Sequence, residues 1–98
     1  MNSIEITDLL SILYSDESIN IIDIRPNYEY LLNRIPTAKN IAKKNLEQIP
    51  EKYLDKEQVY YIYCQSGNSS GQLVNKLNSK GYHTVNIKGG FNNYLLRK

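Results

Sequence analysis

The chain predicts an α/β domain with a largely parallel, five-stranded sheet. Short β-branched or aromatic runs alternate with segments whose apolar residues recur at helical spacing. Strands separated by helices in this way close into a parallel sheet with helices on its faces. The sharpest junction is the run Val59-Tyr60-Tyr61-Ile62-Tyr63, which ends at Cys64, the only cysteine, and gives way to Gln65-Ser66-Gly67-Asn68-Ser69-Ser70. Length supplies the remaining constraint: 98 residues make one domain, 1–98, with material for one core.

Taken in order, Ser3-Ile4-Glu5-Ile6 is the first strand, and Thr7 caps a helix carrying Leu9, Leu10 and Leu13. Ile19-Asn20-Ile21-Ile22-Asp23-Ile24 is isoleucine-rich enough for a central strand. Pro26 suits the first turn of a short helix with Tyr28, Glu29, Leu31 and Leu32. A third strand falls around Ala38-Lys39-Asn40-Ile41, covered by Leu46, Ile49 and Leu54 from a segment that Pro50 interrupts. The fourth strand ends at Cys64. The helix after it, Ser70 to Leu77, stops at Gly81, a left-handed cap. Thr84-Val85-Asn86-Ile87 is the fifth strand, Gly89-Gly90 a turn, and Phe91 to Leu96 a terminal helix with Phe91, Tyr94 and Leu95 facing the core.

Composition excludes several function classes. An apolar fraction of 41% with 22% charged residues describes a folded, water-soluble domain. With a net charge of +2 and no dense basic cluster, nucleic acid is not an expected partner. Lys43-Lys44 and Arg97-Lys98 read as solvated surface. No apolar run approaches a membrane span and the N-terminus has no signal-peptide pattern, so no membrane partner is expected. One cysteine cannot form an internal disulfide, which makes the cytoplasm the expected compartment. One cysteine and one histidine cannot build a structural zinc site of those ligands.

Cys64 carries the chemistry. In a parallel sheet, ligands bind beyond the carboxyl ends of the strands, where this thiol sits. Small polar residues after it can turn backbone N–H groups inward, and a helix start adds dipoles that favour thiolate. With no context, a lone cysteine is more often a small buried hydrophobe than a nucleophile, and it is the loop that shifts the balance. Asp23-Ile24-Arg25 and Gly89-Gly90-Phe91 should converge on the same edge. Asp23 serves equally well as a turn residue or a site residue, while Arg25 and Glu29 read as an i,i+4 ion pair. His83, at a strand start, lies away from the expected pocket, and the tyrosines of the fourth strand read as packing.

Four motifs in order, Asp23-x-Arg25-x-x-x-Glu29-Tyr30, Ile35-Pro36-x-Ala38-x-Asn40-Ile41, Cys64-x-x-Gly67-Asn68-x-Ser70 and Gly89-Gly90-Phe91 with Tyr94, make the whole chain resemble a rhodanese domain. The resemblance implies a three-layer α/β/α sulfurtransferase fold in which the cysteine takes a sulfane sulfur, forms a persulfide and passes the sulfur to a nucleophile. It assigns Cys64 as nucleophile and the N–H groups of Gln65, Ser66, Gly67, Asn68 and Ser69 as the sulfur's cradle. Asp23, Arg25 and Ser70 are supporting residues. The hydroxyls of Ser66, Ser69 and Ser70 either donate to the sulfur or cap the helix. Neither step calls for a metal or organic cofactor.

Departures from the family pattern shape the substrate expectation. Many members carry arginine where this chain has Ser69 and a basic residue at Gln65 or Ser66, so the loop here is uncharged. Asn33-Arg34 replaces a Gly-His pair, Thr37 a glycine and Tyr94 a tryptophan, with Arg34 a candidate for positive potential at the pocket rim. The leading expectation is an enzyme moving sulfur from thiosulfate or a similar small sulfur-containing anion to a thiol or cyanide. The alternative is a persulfide carrier loaded by a partner protein such as a cysteine desulfurase. A phosphatase or arsenate reductase would want an arginine closing the loop, which Ser69 and Ser70 do not supply. An inactive interaction module fits poorly with a retained cysteine and small loop.

Overall fold

A computed structural model describes residues 2–97. Strand β1 (Ser3–Ile4) leads to helix α1 (Ile6–Ser15), β2 (Asn20–Asp23) to α2 (Asn27–Leu32), and β3 (Lys39–Asn40) to α3 (Lys43–Gln48). A 3-10 turn at Pro50–Lys52 precedes β4 (Val59–Tyr63), which is followed by α4 (Asn68–Ser79), β5 (His83–Ile87) and α5 (Gly90–Leu96). The five strands form one sheet in the order β1-β5-β4-β2-β3, every pair parallel. The α/β class and five-stranded parallel sheet expected from the sequence are therefore present.

The register explains why the site lies where it does. In β4, Ile62 pairs with Ile22 of β2 and Asn86 of β5, and Tyr63 pairs with Asp23. All three strands therefore end at one edge, with Asp23, Cys64 and Lys88 close to level. Side chains alternate along β4. Tyr60, Ile62 and Cys64 face a core shared with Leu46, Leu54, Leu73, Val74, Leu77 and Tyr82. Tyr63 faces the opposite core, with Leu9, Leu13, Ile35, Ile87 and Phe91. Helices α3 and α4 thus cover one face of the sheet, and α1 and α5 the other.

Several local expectations are corrected. The first strand ends at Ile4, and helix α1 begins at Ile6 rather than after a Thr7 cap. Ile6 is buried in the core, and the Glu5 carbonyl accepts the Leu9 N–H at 3.0 Å, so tertiary burial draws the helix start forward. Helix α4 begins at Asn68, ahead of Ser70, while Gly81 does take φ 95° at its far end. Ile49 and Leu95 remain 38% and 42% exposed. Leu46 and Leu54 reach the core as expected while Ile49 does not, and the paired rings of Phe91 and Tyr94, 5.5 Å apart, occupy the inner side of α5. Helix α2 buries none of its residues, and Leu31 and Leu32 are exposed. Thr37 adopts φ 70°, a left-handed conformation that costs an L-residue about 1–2 kcal/mol. Arg97 is exposed, as a solvated residue should be, and Lys98 lies outside the described residues.

Candidate active site

Cys64 follows β4 directly, and its side chain is 7% exposed. The chain turns sharply at Gly67, whose φ of 95° is open to glycine at little cost. A Cβ there would stand 2.8 Å from the Gly89 nitrogen. On the other side of the same contact a Cβ on Gly90 would collide with the Cys64 carbonyl oxygen. The absence of both side chains lets the Phe91 N–H donate to Cys64 O at 2.9 Å and the Asn92 N–H to Gln65 O at 3.0 Å. The loop is thereby locked onto the start of α5.

That folding turns donors toward the sulfur. The Gly67 N–H reaches Cys64 Sγ at 3.2 Å and the Ser70 N–H at 3.3 Å. Ser70 Oγ lies 3.2 Å from Sγ and donates to Asn86 Oδ1 at 2.6 Å, while Asn86 Nδ2 donates to Gly67 O at 3.2 Å. Burial pushes the thiol up, but a Ser70 hydroxyl turned to the sulfur and the N–H groups of Ser70, Gly67 and Ser66 outweigh it and leave the thiol below its ordinary value. The arrangement stabilises negative charge on sulfur as an oxyanion hole does on oxygen.

Sγ borders an open cleft of about 500 Å³ lined by Ile24, Arg25, Pro26, Glu29, Cys64, Gln65, Ser66 and Ser69. Gln65 turns its side chain aside to donate to Asn92 Oδ1 at 2.6 Å, and Asn68 borders a different surface depression. Ser66 Oγ accepts the Asn68 N–H at 3.5 Å, in the manner of a helix-start contact. Of the N–H groups expected to cradle a transferred sulfur, Gly67 donates to Sγ itself, and so does Ser70, one residue beyond them. Asn86 was missed altogether, because its strand position reads as an ordinary polar alternation. The Gly89-Gly90 turn supports the loop from behind and does not line the cleft.

Beside the thiol lies a second polar network. Asp23 is fully buried and accepts hydrogen bonds from the Arg25 backbone N–H at 2.8 Å, Arg25 Nη2 at 2.8 Å and Tyr63 Oη at 2.7 Å. The expected Arg25–Glu29 ion pair is replaced by this one, since only Asp23 can satisfy a guanidinium that is itself buried. Arg25 also lies 3.9 Å over the Phe91 ring and donates to Asn33 O at 2.6 Å. Burial pulls its pKa down, yet the Asp23 hydrogen bonds and charge hold it above the usual value. Burial likewise pushes the Tyr63 phenol up. Arg34 stacks 4.2 Å over the Tyr30 ring and does not reach the cleft rim. His83 is exposed at the opposite end of the sheet. Among the described residues no group of three His, Cys, Asp or Glu side chains is placed to hold a metal ion, and no helix is long and apolar enough to cross a membrane.

Fold and site together define an α/β protein with a hydrogen-bonded thiol at the carboxyl edge of a parallel sheet. The rhodanese-like domain family matches residues 5–97, and the chain belongs to that family. It is 37% identical over 78 residues to the putative sulfurtransferase YtwF of Bacillus subtilis, covering 78% of this chain and 73% of that protein. Over 78 residues it is 32% identical to the thiosulfate sulfurtransferase PspE of Escherichia coli, covering 79% of this chain and 75% of the relative. Among solved structures, SSP1007 from Staphylococcus saprophyticus superposes with a TM-score of 0.85 at 32% identity, covering 96% of this chain and 93% of that one.

Proposed function

We propose that this chain is a sulfurtransferase acting through a persulfide on Cys64. The observation that carries the reading is the pair of N–H donors from Gly67 and Ser70 aimed at a thiol that opens onto a cleft. The Cys64 thiolate attacks the sulfane sulfur of a donor. With thiosulfate as donor its S–S bond breaks, sulfite leaves with the electron pair, and Cys64 keeps the sulfur as a persulfide. Attack on the terminal sulfur by cyanide or a thiol then forms thiocyanate or a new persulfide and returns the thiolate. The lowered thiol pKa raises the fraction of attacking species near neutrality.

One observation favours a second reading, a relay loaded by a protein-borne persulfide. Among the described residues the charged side chains lining the cleft are Arg25 and Glu29, and Arg25 is already neutralised by Asp23. A dianion such as thiosulfate gains little there, whereas a persulfide on a partner's cysteine needs no cationic site.

Intact-protein mass spectrometry after incubation with thiosulfate tests the first reading. Gain of one sulfur atom, removed by cyanide and absent from Cys64→Ser, is the expected result. No gain from thiosulfate, with loading from a cysteine desulfurase and cysteine, would transfer the reading to the relay. No gain from either donor would end both.

A further inference from the structure

Ser70 has one hydroxyl proton and two buried acceptors within reach. Asn86 Oδ1 lies 2.6 Å from Ser70 Oγ, and Cys64 Sγ lies 3.2 Å from the same oxygen. The orientation of the Asn86 amide is fixed from its other end, where Nδ2 donates to Gly67 O at 3.2 Å. The Asn86 side chain also packs against Gly71, where a Cβ would meet Nδ2 at 3.2 Å, so the amide is wedged under the first turn of α4. Among the described residues Ser70 supplies the sole hydrogen bond to Asn86 Oδ1, and Asn86 is buried.

These contacts allow two proton arrangements. When Cys64 is a thiol, its S–H donates to Ser70 Oγ, and the Ser70 hydroxyl donates to Asn86 Oδ1. When Cys64 is a thiolate, the Ser70 hydroxyl can turn to the sulfur only by abandoning Asn86 Oδ1, which is then left buried and without a donor. We propose that Asn86 is a positioning residue that competes with Cys64 for the single Ser70 proton and thereby holds back the thiolate. The Gly67 and Ser70 N–H groups favour negative sulfur, and Asn86 opposes them through the hydroxyl. The balance keeps the resting thiol from ionising as fully as its N–H donors alone would allow.

This inference rests on the reading of Cys64 as the reactive group, but its test does not require sulfur transfer. The thiol midpoint is read from thiolate absorbance in the ultraviolet and from the pH dependence of iodoacetamide alkylation. Asn86→Val removes the competing acceptor and is expected to lower the midpoint by about one pH unit, an approximately tenfold change in the ionisation constant. Ser70→Ala is expected to raise it. The Ser70→Ala/Asn86→Val double variant should match Ser70→Ala, since Asn86 acts only through the hydroxyl. A folded Asn86→Val protein with an unchanged or raised midpoint overturns the proposal, and so does an equal lowering in the Ser70→Ala background. Should Asn86→Val not fold, the unaltered protein still decides. The side-chain carbonyl 13C resonance of Asn86 must shift with the midpoint of Cys64 ionisation, and a flat resonance refutes the competition. Failure of sulfur loading with the expected midpoints would count against the proposed function and leave this coupling standing.

Discussion

Two buried polar networks lie side by side at the carboxyl edge of the sheet, and they are built on opposite principles. In the Asp23–Arg25–Tyr63 network every charge has its partner: the carboxylate accepts from a guanidinium, a phenol and a backbone N–H, and the guanidinium is further stacked on Phe91. The Cys64–Ser70–Asn86 network has one hydroxyl proton fewer than it has acceptors, and its sulfur opens onto a cleft. Closed electrostatics suit a brace, since loss of either charged partner leaves the other buried and unpaired. An incomplete network suits chemistry, because its groups can change protonation state without unfolding the protein.

Substitutions can break that contrast. The largest stability loss is expected for Asp23→Ala, which strands the Arg25 guanidinium, and about 3–5 kcal/mol should be lost in a urea unfolding measurement. Cys64→Ser should alter stability by about 1 kcal/mol or less while eliminating sulfur loading, since the same N–H groups can serve a hydroxyl. If Cys64→Ser proved the more destabilising of the two, the division into brace and reactive centre would be wrong. Tyr63→Phe removes the donor to Asp23 and the acceptor for the Ile35 N–H, which reaches Tyr63 Oη at 3.1 Å. A loss of about 1–3 kcal/mol is expected, smaller than for Asp23→Ala because no charge is left without a counterion.

The smallest effect is a pH dependence. The Cys64 thiol is lowered in the folded state, so between that lowered value and the ordinary thiol value of about 8.5 the unfolded chain binds more protons. Stability should therefore rise with pH across that window and lose this increment as pH falls through the folded value. Cys64→Ser should flatten the slope in unfolding curves taken at a series of pH values. An unchanged slope would mean that the thiol is not stabilised as an anion by its cradle.

Much of the site can be read along the chain, and the parts that cannot share one property. Cys64, Gly67 and Ser70 occupy one short stretch, and a strand followed by a small polar loop and a helix already places N–H groups near a thiol. Asn86 could not be linked to Ser70 in that way. The two are sixteen residues apart, and they meet because β5 lies beside β4 in parallel register. The Arg25 partner was misassigned for a related reason: helical spacing pointed to Glu29, whereas burial of the guanidinium selects the fully buried Asp23. Thr7 lost the helix start to Ile6 through burial of an apolar side chain, again a decision made outside the local segment.

The alternation of strands and helices, the largely parallel α/β class and the thiol at a strand end are all written in the local sequence. These follow from side-chain period and backbone sterics, which act over a few residues. Which acceptor takes the Ser70 proton, which carboxylate neutralises Arg25, and that Arg34 stacks on Tyr30 away from the cleft were decided by tertiary contacts. Those outcomes depend on which groups lose their water together when strands from distant parts of the chain are brought side by side.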